Sequence, residues 1–242
     1  MNSFSNIKII LVETSHPGNI GSVARAMKTM GFDNLNLVNP KCTVNEISYA
    51  MASNAGDVLD NIKIHKDICE AIEDCNYIVG ATARQRDIPI EIINPKELAI
   101  KAKHRNYQNL AIVLGNEARG LTNEQLSLCS IGLHIPSNKN YSSLNIASSL
   151  QIILYEMLVE SEHEASYINK IDKNDIAPHK VVNSFFQHLD KVLKDIDFIK
   201  DDRPMISRKI NHIFKKANLS EEEVNILRGI LSAIENHSQQ NQ

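Results

Sequence analysis

The hydrophobic pattern of the chain predicts an α/β protein with a largely parallel sheet, followed by a small helical extension. Three observations carry that expectation. Short apolar runs at residues 7–12, 35–38, 77–81, 110–114 and 132–135 alternate with helix-like stretches, as strands joined by helical crossovers do. Eight of the nine glycines lie before residue 133, so the turns that need unusual backbone conformations, and the functional loops with them, belong to the first half. Beyond about residue 178 the apolar residues recur at helical spacing only.

Taken in order, Ile7 to Val12 is a near-continuous aliphatic run, as expected of a strand buried on both faces. After the turn at Pro17-Gly18, a helix capped by Asn19 carries a buried stripe of Ile20, Val23, Ala24, Met27 and Met30. At about 100° per residue, Gly21 and Ser22 fall within roughly 60° of Arg25, so small side chains flank a guanidinium and leave room for a ligand. Leu35 to Val38 and Tyr77 to Ala81 are the next strands. Leu110 to Leu114 follows and runs into Gly115-Asn116-Glu117-Ala118-Arg119-Gly120, charged residues bracketed by glycines at a strand end, where α/β sheets bind ligands. Thr122 to Gln125 reads as a helix cap and Gly132 to Ile135 as a strand.

The polar stretch after Pro136 leads to Ser142 and Ser143 at the start of a helix that passes through Leu150, Ile153, Leu154 and Met157. That helix is apolar over much of its circumference, which points to burial in the fold or in a subunit interface. Residues 161–178 are polar and read as a linker between a domain at 1–160 and a helical extension at 179–242. In the extension Val181, Phe185, Leu189 and Val192 form one stripe, and Ile206, Ile210, Ile213 and Ala217 a second. Val224, Leu227, Leu231 and Ile234 form a third behind the capping box Ser220 to Glu223.

Composition narrows the function classes. With 242 residues, 43% hydrophobic and 23% charged, the chain has the make-up of a globular protein, and no aliphatic run nears the roughly 20 residues of a membrane span. The first residues lack the basic start and apolar run of a signal peptide, so a cytoplasmic location is expected. Four scattered cysteines without a Cys-x-x-Cys pair predict buried or half-buried thiols rather than disulfides or zinc, and no metal site is expected. A net charge of −3 offers no global attraction for nucleic acid, so any RNA must be held by local basic surfaces. There is no His-Glu-x-x-His and no Gly-x-Ser-x-Gly, which removes the zinc-protease and α/β-hydrolase signatures.

Three motifs remain: Asn19-x-Gly21-x-x-x-Arg25, Gly115-Asn116-Glu117-x-x-Gly120 and Ser143-Leu144-Asn145. In this order and spacing they resemble motifs one, two and three of the SpoU/TrmH class of SPOUT methyltransferases. Further stretches, Val12 to His16, Arg25 to Gly31 and Asn225 to Leu231, look like a bacterial tRNA ribose methyltransferase branch of that class, so the resemblance spans nearly the whole chain. It implies a parallel sheet whose carboxy-terminal part is threaded into a trefoil knot, S-adenosylmethionine as cofactor, a tRNA substrate, and a homodimer with the active site at the subunit boundary. The implied reaction is methylation of the ribose 2′-oxygen at position 32 of the anticodon loop. A different ribose in tRNA or ribosomal RNA is the enzymatic alternative, and a non-catalytic RNA-binding module on the same fold the other.

Mapped by motif, the resemblance implies that Ala81, Thr82, Ala83, Gly115, Ile135, Ser142, Ser143 and Leu144 cradle the cofactor. It implies catalytic work for Arg25, Ser143, Asn145 and Glu117. A guanidinium does not give up its proton in proteins, so Arg25 reads as an electrostatic group towards an alkoxide or phosphate rather than a base. Ser143 and Asn145 are expected to orient the hydroxyl and the loop, and Glu117 to orient Arg25 or a neighbouring subunit. One departure is that Ser137 to Tyr141 contains none of the glycines usual after that Ile-Pro strand end. Expected RNA contacts are Arg84, Arg86 and Arg119, with Arg208, Lys209, Lys215 and Lys216, the last four in a stretch free of acids from Ser207 to Asn218. Lys101, Lys103, His104 and Arg105 form a further basic cluster.

Overall fold

The computed structural model describes residues 4–83, 90–105, 109–138, 140–141, 143–162, 176–199 and 204–240. The chain divides into two compact units, Met1–Ile171 and Asp172–Gln242.

The first unit runs β1 (Ile7–Val12), α1 (Pro17–Thr29), β2 (Leu35–Val38), α2 (Glu46–Ala52), α3 (Gly56–Asp60), β3 (Lys63–His65), α4 (Ile68–Ala71), β4 (Tyr77–Ala81), β5 (Ile92–Ile93), α5 (Pro95–Arg105), β6 (Leu110–Leu114), α6 (Asn123–Ser127), β7 (Ile131–Leu133) and α7 (Ile146–Glu162). The seven strands form one sheet, in the order β3-β2-β1-β6-β4-β7-β5, and every pairing is parallel. All five residues of β6 are buried, as a central parallel strand covered on both faces requires. One face, including Ile10, Val113 and Ile78, packs on Ile68, Ala71 and Ile72 around α4 and on Leu126 of α6. Strand residues of the other parity, Ile9, Leu11 and Ile112, are fully buried too. That face needs its own cover, and α1, α5 and α7, which pack side by side, supply it.

Order reversal places the site. From β1 the chain crosses through α1 to β2 on one side, whereas from β6 it crosses through α6 to β7 on the other. A crevice opens at the carboxyl ends of adjacent strands where such crossovers diverge.

Several expectations need correction. Helix α1 starts at Pro17, not at Asn19: its N-cap is His16, whose Nδ1 accepts from Gly18 N at 3.1 Å. Pro17 presets the helical backbone at the first position and leaves Asn19 inside the first turn. Helix α7 begins at Ile146, and the side chain of Asn145, rather than a serine, accepts from Ala147 N at 2.9 Å. Strand β7 spans Ile131–Leu133 rather than 132–135. Cys69 is exposed, while Cys42 is half-buried and Cys75 and Cys129 are buried; burial pushes the Cys75 thiol up to about 12. Lys101 and Lys103 pair with Glu91 and Glu160, which leaves that cluster partly neutralised.

Gly21 is likewise not a place for a ligand. A Cβ there would stand 2.0 Å from the carbonyl oxygen of Ser48, because α1 and α2 touch backbone to backbone at that point. Gly21→Ala is therefore expected to cost roughly 1–3 kcal/mol of stability through overpacking, read as a lower urea midpoint at unchanged slope.

The second unit consists of α8 (His179–Asp195), α9 (Pro204–Ala217) and α10 (Glu221–Gln240). Phe185, Phe186, Leu189, Val192, Val224 and Leu231 are its buried core, and the Phe214 ring meets Phe185 edge-on at 5.1 Å. Ser220 and Glu223 form the expected reciprocal capping box. The stripe on α9 is Ile210 and Phe214; Ile213 is 65% exposed, so the spacing chosen from sequence was one face too far round.

Burial, then the charge of Lys215, hold His179 near a pKa of about 4, against an ordinary value of 6.5. The unfolded chain therefore binds the proton more readily between those values. Stability from this histidine is fully present above pH 6.5 and is lost as pH falls towards 4. Hydrogen exchange in α8 should report about 2 kcal/mol less protection at pH 5 than at pH 7, and His179→Gln should flatten that dependence.

Candidate active site

At the carboxyl ends of β4, β6 and β7 lies an open cleft of about 200 Å³. Its walls include Ala81, Thr82 and Ala83 from the end of β4, Gly115 to Leu121 after β6, Ile135 after β7, and Ser143 and Leu144 before α7. Seven of the eight expected cofactor residues therefore share one cavity; the eighth, Ser142, lies outside the described residues. The lining is mostly small or apolar side chains interleaved with backbone, which suits a flat, weakly polar group better than a phosphate.

The loop after β6 shapes the cleft. Gly120 N donates to Asn116 O at 2.7 Å, and Ala118 N donates to Asn116 Oδ1 at 3.0 Å, closing residues 116–120 on themselves. The closure is possible because Gly120 takes a left-handed φ of 70° and because a Cβ at Gly115 would lie 2.2 Å from the Gly120 carbonyl carbon.

Glu117 ties this loop to the start of α1. Its carboxylate accepts from Ser15 N at 3.2 Å, Ser15 Oγ at 3.0 Å and Asn19 Nδ2 at 2.9 Å. Burial alone would raise its pKa; the bonds from Asn19 and Ser15 outweigh that and hold the carboxyl below its ordinary value. Asn145 completes the chain, donating through Nδ2 to Asn19 Oδ1 at 3.3 Å. One hydrogen-bonded line, Glu117–Asn19–Asn145, thus joins the three motifs.

Asn19 is the residue sequence reasoning misassigned. Its preference for helix caps hid its second use, a side-chain amide that donates to motif two and accepts from motif three. Glu117 is expected to orient Arg25 or a neighbouring subunit; among the described residues no ion pair joins it to Arg25 within this chain, and its oxygens accept from Ser15 and Asn19. Arg25 is exposed on α1 and does not line this cleft.

Arg119 lines the cleft and pairs with Glu13. Arg84 and Arg86 lie outside the described residues. Arg208, Lys209, Lys215 and Lys216 sit on α9 in the second unit, where Arg208, Lys209 and Lys216 are exposed and Lys215 Nζ lies 6.0 Å above the Phe186 ring. Among the described residues no group of three or more His, Cys, Asp or Glu is placed to hold a metal, and no helix is long and apolar enough to cross a membrane.

Comparison with known proteins gives this geometry a family. Residues 6–155 match the SpoU rRNA Methylase family. The chain belongs to the SpoU methylase family. Within that family its position is narrower, because residues 180–242 match the C-terminal domain of the tRNA methyltransferase TrmJ. The tRNA (cytidine/uridine-2′-O-)-methyltransferase TrmJ of Yersinia pestis is 40% identical over 235 residues, 95% of this chain and 91% of that protein. A crystal structure of TrmJ from Z. mobilis ZM4 superposes with a TM-score of 0.82 at 28% identity, covering 94% of this chain and 98% of that one. A probable methylase family protein from Haemophilus influenzae matches over 99% of this chain and 100% of its own, with 37% identity and a TM-score of 0.66. This SpoU methylase is therefore a methyltransferase of the TrmJ branch, with an α/β domain on an all-parallel sheet.

Proposed function

We propose that this enzyme transfers a methyl group from S-adenosylmethionine to a ribose 2′-oxygen of tRNA, at position 32 of the anticodon loop, on cytidine or uridine. The observation that carries the reading is the Glu117–Asn19–Asn145 line, which gathers all three motifs at the rim of one cleft built from the residues expected to hold the cofactor. The names of the relatives support tRNA as substrate and the 2′-oxygen as acceptor. On this reading the chain works in the cytoplasm as a homodimer, its sheet carries the trefoil knot in its carboxy-terminal part, and residues 1–160 and 179–242 are its functional domains.

The cleft fits the cofactor. Ala81 to Ala83, Gly115, Ile135 and Leu144 offer small and apolar walls for an adenine, with Ser143 beside them. When bound, S-adenosylmethionine supplies an already activated methyl group, so the protein's own task is positioning and charge stabilisation. Ser143 and Asn145 orient the acceptor hydroxyl at the rim. Glu117 keeps the loop after β6 at a fixed distance from α1. Arg25 stabilises the developing alkoxide or the adjacent phosphate. Its position outside this chain's own cleft supports a site completed by the second subunit's arginine. Arg119 grips RNA beside the cleft, and Arg84, Arg86, Arg208, Lys209, Lys215 and Lys216 supply further contacts to it. The chemistry calls for no metal.

The test is transfer of labelled methyl from S-adenosylmethionine to tRNA that lacks its modifications, followed by nuclease mapping. Label on the ribose at position 32 is the expected result. Label on another ribose, or on ribosomal RNA alone, would replace the substrate assignment; bound cofactor with no transfer to any RNA would replace the enzyme by an RNA-binding module.

A further inference from the structure

We propose that Glu13 is a built-in stand-in for phosphate, holding Arg119 until a backbone phosphate of the substrate RNA takes it over, an inference that rests on reading the cleft as a site of RNA methylation. Glu13 follows β1 with a left-handed φ of 54°, a conformation that non-glycine residues adopt at a cost. Two bonds hold it there: Glu13 N donates to Val38 O at 2.9 Å, and Glu13 O accepts from Asn116 Nδ2 at 2.8 Å. The carboxylate is thereby aimed at the loop after β6. One of its oxygens accepts from the Arg119 guanidinium. The other faces Asn39 Nδ2 at 3.4 Å and Lys41 Nζ at 3.9 Å.

The exposure of this group is lopsided. The Glu13 side chain is 19% exposed, whereas those of Arg119 and Lys41 are 63% and 48% exposed. An anion arriving from solvent therefore meets the cations before it meets the carboxylate. Ion pairs of this kind are weak at a surface, and a phosphodiester presents two oxygens that match the guanidinium fork, so exchange of partners is cheap. Arg119 also lines the cleft together with Gly115 and Leu144, so the phosphate it takes lies beside the reacting ribose. Until exchange occurs, Glu13 offsets the Arg119 charge and weakens its pull on any polyanion. It thus disfavours RNA that touches the loop without filling the cleft.

Glu13→Gln keeps the side chain's shape and both backbone bonds, which makes it the informative variant. Binding of the full chain to an unmodified tRNA transcript is measured over a range of salt concentrations, with cofactor affinity and the urea midpoint in parallel. The expected result is RNA bound roughly two- to five-fold more tightly at low salt, with a log–log salt dependence steeper by up to about one, because the Glu13 carboxylate no longer competes with phosphate for the guanidinium. Cofactor affinity should not change, and in an Arg119→Ala background the gain in RNA affinity should largely disappear, leaving only the small part due to Lys41. Unchanged or weaker RNA binding by a stably folded Glu13→Gln overturns the proposal. Should that variant fold poorly, Arg119→Ala decides by itself: it must weaken RNA binding and flatten the salt dependence. If it lowers cofactor affinity instead, the guanidinium serves the cofactor's carboxylate and the proposal falls. An unsubstituted chain that binds no tRNA would remove the RNA reading itself, and this inference with it.

Discussion

Arg25→Ala is expected to lower single-turnover methyl transfer to tRNA by roughly 10²–10³-fold while leaving cofactor affinity within about two-fold, the size of effect seen when one preorganised charge-stabilising donor is lost. The two halves of that expectation have separate origins. Arg25 is exposed on α1 and stands apart from the cleft that would hold the cofactor, so its removal touches neither the core nor that pocket. On the proposed mechanism its contribution belongs to the transition state, where an alkoxide would form. Arg25→Lys keeps the charge but loses the planar fork, so it should recover only part of the rate. Turnover near that of the unsubstituted enzyme would remove Arg25 from the reaction, and loss of cofactor binding would move it into the pocket.

Glu117→Gln is expected to reduce transfer by about ten- to a hundred-fold and stability by about 1–2 kcal/mol at neutral pH. The carboxylate accepts from the N–H and hydroxyl of Ser15 and from Asn19 Nδ2. A glutamine amide turns one of its two acceptors into a donor, which then faces donors. The loop after β6 and the first turn of α1 lose their tie, and Asn19 loses the partner that orients it towards Asn145. Because the Glu117 carboxyl is held below its ordinary value of 4.5, its stabilising effect is present above that pH and is lost as acid protonates it in the folded state. The stability gap between the enzyme and Glu117→Gln should therefore close well below pH 4.5. A gap that persists in acid, in urea titrations at several pH values, would show that the tie does not depend on the negative charge.

These two residues also mark how far the sequence could be read. Strands β1, β2, β4 and β6 were legible because a strand buried on both faces must be largely apolar, and theirs are, with Lys8 and Asn36 the polar exceptions. Strand β3, Lys63-Ile64-His65, and strand β5, Ile92-Ile93, lie at the two sheet edges, where partial exposure and short length leave no such run. Gly115, Ile135 and Leu144 were legible as pocket residues only through the resemblance of the three motifs to the SpoU/TrmH class. The use of Asn19 was not, because its partners Glu117 and Asn145 lie 98 and 126 residues further along the chain. Local rules made it a cap, and Pro17 had already moved the cap to His16. Glu13 was hidden for a related reason: a left-handed glutamate leaves no trace in composition, and only the fold brings Arg119 to it.

The two edges have a consequence for the life of the protein in a crowded solution. A wide parallel sheet of Ile, Leu and Val is a hazard wherever its outermost backbone groups can recruit a strand from another molecule. Here one border is three residues long and carries Lys63, and the other is two residues long. Neither is long enough to seed the five- to seven-residue ladders on which intermolecular β-aggregates grow. The apolar centre can therefore be as sticky as the fold requires while the folded enzyme stays resistant to edge-to-edge aggregation.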